Sequence, residues 1–227
     1  MSREQAALFD RLASQSRLYL YTPETLARLN ELVPGKGVVL DLGCGDGAIG
    51  EALDAERVIG LDVSMRCAAL ANARGIPALV ADAVGGIPLA RDAIDTVYCV
   101  DVLHHVGQAW EAVFAEIARV LKPGGTLAIV EPDARNPFVR WTQRPGSPIR
   151  VAPCDDESAI DPDELIPYLE GLGYEAACSP IHVEGSQVER GTFPLWQRLM
   201  KAPFVLALAV LCRGRPNKFA IIARRAR

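Results

Sequence analysis

The chain has 227 residues, half of them apolar and 23% charged, with a formal net charge of −4. That composition supports a sizeable core and excludes a disordered chain. It also argues against a broad nucleic-acid surface, which needs concentrated Lys and Arg to neutralise phosphates. Six cysteines, at 44, 67, 99, 154, 178 and 212, form no Cys-x-x-Cys pair. This is neither a zinc pattern nor a disulfide framework, and it fits reduced thiols in a cytoplasmic protein. Met1 to Phe9 is polar and lacks the apolar centre of a signal peptide. The three histidines, 104, 105 and 182, give no metal-ligand spacing, so no metal is expected. The length fits one domain, 1–227.

Residues 3–14 and 23–32 have amphipathic spacing and predict two helices, which form a cap over residues 1–34. Thr22-Pro23 is a helix start, with proline at the first helical position. Strand 37–42 follows, then a helix from about 46 to 53, a strand Val58–Leu61, and a helix capped by Ser64 that runs to about Arg74. Pro77–Ala81 and Ile94–Val100 are the next strands, and 108–121 the next helix. Lys122-Pro123-Gly124-Gly125 reads as a turn and Thr126–Val130 as a fifth strand. Alternating strands and helices with short links imply a parallel sheet covered on both faces, an α/β architecture with its ligand-binding core in 35–132. In the second half, 133–227, residues 133–160 read as an irregular excursion, 162–172 as helix, 174–181 as extended, and about 217–224 as a last strand.

Val38 to Gly47 is the most informative stretch: an apolar strand ends at Asp41, and Gly43, Gly45 and Gly47 follow at alternate positions. Glycines there let the backbone turn sharply and approach a ligand closely. The first four strands finish at Asp41, Asp62, Asp82 and Asp101, which places four carboxylates along the edge of the sheet where such folds bind ligands. Asp62, 21 positions after Asp41, can accept hydrogen bonds from both hydroxyls of a ribose. Gly45, Gly47 and Gly50 also spell the G-x-G-x-x-G of an NAD-binding fold, so the glycines alone leave an NAD-dependent oxidoreductase open.

Asp41-Leu42-Gly43-Cys44-Gly45-Asp46-Gly47, Gly60-Leu61-Asp62, Ala81-Asp82-Ala83, Ile94-Asp95, Val102-Leu103-His104-His105 and Leu121-Lys122-Pro123-Gly124-Gly125 occur in that order. Together they resemble the class I S-adenosylmethionine-dependent methyltransferases, closest to the small-molecule group that includes the ubiquinone and menaquinone biosynthetic enzymes. The resemblance is strong over residues 37–131. It implies a Rossmann-like three-layer sandwich with a seven-stranded, mostly parallel sheet whose last strand is antiparallel. It implies S-adenosyl-L-methionine as cofactor and methyl transfer as activity. By the same resemblance Asp41, Gly43, Cys44, Gly45 and Gly47 border the methionine and ribose, and Asp62 takes the ribose hydroxyls. Val63 lies beside the adenine, Asp82 and Ala83 meet its amino group and ring, and Val100 and Asp101 border the sulfonium and the methionine amine. A non-catalytic scaffold that keeps the cofactor pocket is the third alternative.

His104 and His105 follow the fourth strand, where the methyl group belongs, and either is a candidate general base. Glu131, at the end of the fifth strand, is expected to open toward a substrate. Tyr19 and Tyr21, between the two N-terminal helices, are candidates for a lid over the cofactor and, with Glu131, for contact with the substrate. An apolar helix at about 195–212, too short to span a membrane, is followed by Arg213, Arg215 and Lys218. It reads as a helix inserted before the last strand, against core or a partner subunit; peripheral contact with an anionic membrane is the alternative. The acceptor is expected to be a small molecule, methylated on oxygen, nitrogen or carbon, and the protein a monomer or homodimer.

Overall fold

The computed structural model describes residues 3–14, 21–33, 35–107, 109–144, 147, 159–181 and 215–226. Seven strands form one sheet: β1 (Val38–Leu42), β2 (Arg57–Asp62), β3 (Ala78–Val80), β4 (Ile94–Val100), β5 (Leu121–Pro132), β6 (Tyr174–Ile181) and β7 (Lys218–Arg225), in the order β3-β2-β1-β4-β5-β7-β6. The first five pair in parallel. β7 runs antiparallel to both of its neighbours, β5 and β6, as the resemblance implied.

Both faces of the sheet are buried, and the strands show it residue by residue. Leu40 and Leu42 of β1, Val97 and Cys99 of β4, Leu127 and Ile129 of β5, and Phe219 and Ile221 of β7 point to one side. They pack there against Val113, Phe114 and Ile117 of α5 (Trp110–Val120) and Leu165 and Leu169 of α7 (Pro162–Gly171). The intervening Val39, Tyr98, Val100, Ala128, Val130 and Ala220 point to the other side. They meet Leu29 of α2 (Pro23–Glu31) and Ile49 of α3 (Ala48–Ala52). The strict period of two is what a pleated strand imposes, and apolar residues at every position follow from helices on both faces. Tyr98 Oη donates to the Leu29 carbonyl at 3.0 Å, tying α2 to the sheet.

α1 (Arg3–Ser14) rests on α4 (Met65–Ala73), whose N-cap is Ser64 as the sequence predicts. Asp10 fixes the contact: its Oδ1 accepts from Ser64 Oγ at 2.5 Å and from Arg66 N at 3.0 Å.

Three elements differ from the sequence reading. α3 is shorter than 46–53 because Gly47, at φ +83°, is its left-handed cap. The expected turn at Lys122–Gly125 lies within β5 as a bulge: Ile94 pairs with Leu121, and Thr96 with Thr126. Lys122 Nζ reaches Asp95 Oδ1 at 2.7 Å across it. Within the supposedly irregular stretch, Asn136 caps a short helix, α6 (Pro137–Gln143), accepting from Phe138 N and Val139 N. The expected apolar helix at 195–212 lies outside the described residues. Among those described, no helix is long and apolar enough to cross a membrane.

Candidate functional site

A cleft opens at the carboxyl ends of β1, β2, β3 and β4. Gly43, Cys44, Gly45 and Asp46 form one wall, Asp62 and Val63 the next, then Asp82 and Ala83, and finally Val100, Asp101 and Val102. Each group follows directly from the end of a strand, so the sheet brings together residues that are 60 positions apart in the chain.

The glycine loop is held tightly. Gly43 has φ +72°, and a Cβ on it would stand 2.3 Å from Val102 Cγ2. Only glycine allows both the turn and the close approach. Gly43 N and Cys44 N both donate to the Leu61 carbonyl, at 2.7 and 3.1 Å. Cys44 itself tucks under the loop against bare Gly60, whose Cβ would lie 2.7 Å from Cys44 Sγ. Burial, reinforced by Asp41 and Asp62, pushes the Cys44 thiol far up, so it stays protonated and inert.

Asp62 accepts from Gly45 N at 2.9 Å through Oδ2 and from Ser64 N at 2.8 Å through Oδ1. The two amides aim the carboxylate into the cleft while leaving lone pairs on each oxygen for a ribose. Burial raises Asp62 above the ordinary carboxylate range. Asp41 does not line the cleft. It lies behind the loop, 1% exposed, with Oδ2 unpartnered among the described residues. Burial, then the Asp62 charge, raises it to about 7. Positive charge in the cleft would favour the ionised form of both carboxyls, and S-adenosylmethionine carries a sulfonium and an ammonium. The bare Gly43 loop is the cradle that its methionine and ribose need, so the residues present fit this cofactor. Asp82 Oδ1 accepts from Val84 N at 3.0 Å, which holds the Asp82–Ala83 turn at the far wall.

At the near wall Asp101 has φ +57°, a left-handed conformation unusual for a residue other than glycine. Its Oδ2 accepts from Tyr21 Oη at 2.9 Å, and its Oδ1 from Lys218 Nζ. Burial alone would raise Asp101; the charges of Lys218 and then His104, with the hydrogen bonds from Lys218 and Tyr21, outweigh it and hold the carboxyl below its ordinary range. Asp101, His104 and Glu131 bring ligand atoms within 4.8 Å of one another. The Lys218 ammonium already supplies that cluster with positive charge.

The two histidines part company here. Residues Leu103–His105 form a single 3-10 turn, and the two rings lie against each other, but only His105 reaches the cleft. His105 lines the cleft, with the Phe9 ring of α1 edge-on at 5.2 Å. His104 turns away from the cleft onto Glu131, Nδ1 to Oε2 at 2.6 Å. Glu131 is fully buried within β5 rather than beyond its end. Its Oε1 accepts from Val102 N at 2.8 Å and Leu103 N at 2.6 Å, so it is turned toward the protein and away from the cleft. Gly47 also stands behind the lining, as the cap of α3. Tyr21 borders the cleft, and Tyr19 lies outside the described residues. Sequence reading missed Phe9 and the role of Lys218 as partner to Asp101. A lone lysine opening the apolar strand Phe219–Ala223 was the available signal.

Residues 40–129 match the family of methyltransferase domains. The chain is 31% identical over 123 residues to a tRNA (carboxymethyluridine(34)-5-O)-methyltransferase of Arabidopsis thaliana, a match covering 52% of this chain and 30% of that protein. It is 31% identical over 141 residues to the ubiquinone/menaquinone biosynthesis C-methyltransferase UbiE of Syntrophotalea carbinolica, covering 55% of this chain and 59% of the relative. The chain thus spans less than two thirds of either relative. The fold is that of the methyltransferase solved in complex with the Haloferax volcanii activator Trm112, with a TM-score of 0.69 at 20% identity over 96% of this chain and 98% of that one. The antiparallel β7 inserted between β5 and β6 also departs from the strand order of the NAD-binding fold, which speaks against the oxidoreductase reading. The acid-edged cleft, the glycine cradle and the match over residues 40–129 are similar to those of the class I S-adenosylmethionine-dependent methyltransferases.

Proposed function

We propose that this chain methylates a small organic acceptor at oxygen, nitrogen or carbon, the acceptor being a secondary metabolite, a quinone-like ring or a sugar. The observation that carries the reading is that His105 lines the same cleft as the Gly43 loop, Asp62 and Asp101. S-adenosylmethionine, when bound, supplies an electrophilic methyl group. The protein's part is to bind, align and deprotonate. Asp62 holds a ribose through oxygens already aimed by Gly45 N and Ser64 N. Asp101, kept ionised by Lys218, presents negative charge at the near wall. Phe9 and Tyr21 close the side formed by the N-terminal helices and limit water. A ring nitrogen of His105 takes the proton of an acceptor hydroxyl or amine and later releases it to solvent. Alignment within this closed wall supplies much of the remaining acceleration.

The similarity to a quinone-biosynthesis methyltransferase supports a ring acceptor, and the net charge of −4 disfavours a long polyanion. A panel of hydroquinones, phenols, carboxylic acids, amines, sugars and bulk tRNA, incubated with S-adenosylmethionine and read by mass spectrometry, tests this. Turnover is expected on a member of the small-molecule set, with S-adenosylhomocysteine formed in equal amount. Turnover on tRNA alone would overturn the small-acceptor reading, and cofactor binding without any turnover would favour a scaffold.

A further inference from the structure

We propose that Glu131 is a positioning residue for the methyl-transfer site: it grips the chain just after β4 and thereby fixes the His105 ring in the cleft. The proposal rests on the reading of His105 as the base. Glu131 is fully buried, yet three donors converge on it: Val102 N and Leu103 N on Oε1, and His104 Nδ1 on Oε2. A carboxylate placed so deep is retained only with such complete pairing. All three donors belong to the residues immediately before His105.

The consequences run in two directions from that grip. Holding Val102 N presses the Val102 side chain over Gly43, whose missing Cβ would otherwise collide with it at 2.3 Å. Holding His104 makes its ring a wall for His105: the two centroids are 4.0 Å apart at 40°. Phe9 meets the same ring edge-on, at 5.2 Å and 85°. The Trp110 indole N–H donates to the Leu103 carbonyl at 3.3 Å and secures the turn from below. His105 thus packs against two rings, one of them anchored by Glu131. A hydrogen-bonded support of this kind, behind a group rather than at it, sets reactive geometry in preorganised sites.

Nuclear Overhauser contacts between the His105 and Phe9 rings, recorded with S-adenosylhomocysteine bound, read the ring position without needing an acceptor. We expect Glu131→Gln to lose most of that contact, because the amide cannot accept from both backbone donors and from His104, while S-adenosylhomocysteine still binds with near wild-type affinity. An unchanged ring contact in Glu131→Gln overturns the proposal. If Glu131→Gln does not bind S-adenosylhomocysteine, His104→Asn carries the test: it keeps both amide donors on Glu131, removes the wall, and must loosen the same contact, whereas an unchanged contact there overturns the proposal. With an acceptor from the panel, Glu131→Gln is expected to lower kcat about tenfold in the wild-type background and to have almost no effect when His105 is already Gln. Equal losses in both backgrounds would show a structural role only and overturn the positioning. If His105→Gln turns over like wild type, the reading of His105 as base fails, and with it the positioning of a reacting group, whatever the ring contacts show.

Discussion

Replacing His105 by Gln is expected to lower kcat by about 10²–10⁴-fold, the usual contribution of a positioned base, with the affinity for S-adenosylhomocysteine unchanged. Gln is close to His in size and hydrogen-bonding capacity but cannot accept a proton at neutral pH. His105 is the member of the His104–His105 pair that lines the cleft; His104 is turned onto buried Glu131. The same argument predicts that His104→Gln acts differently, through the geometry of its neighbour rather than through proton transfer. The pH profile of kcat separates the two. The acid limb, where the base becomes protonated, should vanish in His105→Gln and persist in His104→Gln. Wild-type turnover in His105→Gln would mean that alignment and exclusion of water suffice for this acceptor.

Lys218→Met is expected to destabilise the protein by about 3–5 kcal/mol at neutral pH, the cost of leaving one charge of a buried pair uncompensated. Lys218 and Asp101 are 7% and 8% exposed, so solvent cannot replace the lost partner. The sign with pH follows from the direction of the shift. In the wild type Asp101 is held below its ordinary range, so its ionised form contributes stability above the unfolded pKa of about 3.9. That contribution is lost as pH falls through the lower folded value. Without Lys218, burial dominates and raises Asp101, so the deficit of the variant shrinks as acid protonates it. Urea unfolding at neutral and mildly acidic pH measures both. Lys218→Met combined with Asp101→Asn should recover most of the loss, because Asn tolerates the left-handed conformation and can still accept from Tyr21 Oη. A deficit independent of pH, or one that the double variant does not relieve, would contradict this account of the pair.

How much of this was legible in the sequence depends on the range of the interaction involved. β1, β2 and β4 could be read because each is an apolar run closed by an acid, and Ser64 and Thr22 could be read as caps because capping acts within three residues. The helix at Pro137–Gln143 was within reach too: Asn136-Pro137 is a cap followed by a first-turn proline, but prolines at 137, 145 and 148 made the segment look irregular. The orientation of Glu131 followed in principle from alternation with Ile129 and Leu127, yet β5 extends that far only because Glu131 pairs with Phe219 and Pro132 with Lys218 of β7. The Lys218–Asp101 pair spans 117 positions and has no local signal. Choosing between His104 and His105 required the 3-10 turn, which no pattern in four residues specifies.

Calorimetric titration with S-adenosylhomocysteine, run beside NADH on the wild type and on Asp62→Ala, tests the central claim most directly. The account predicts saturable binding of S-adenosylhomocysteine, no binding of NADH, and a weakening in Asp62→Ala of about 10–100-fold, the worth of hydrogen bonds to a charged group. Saturable binding of NADH in place of S-adenosylhomocysteine, or equal affinity in Asp62→Ala, would contradict it.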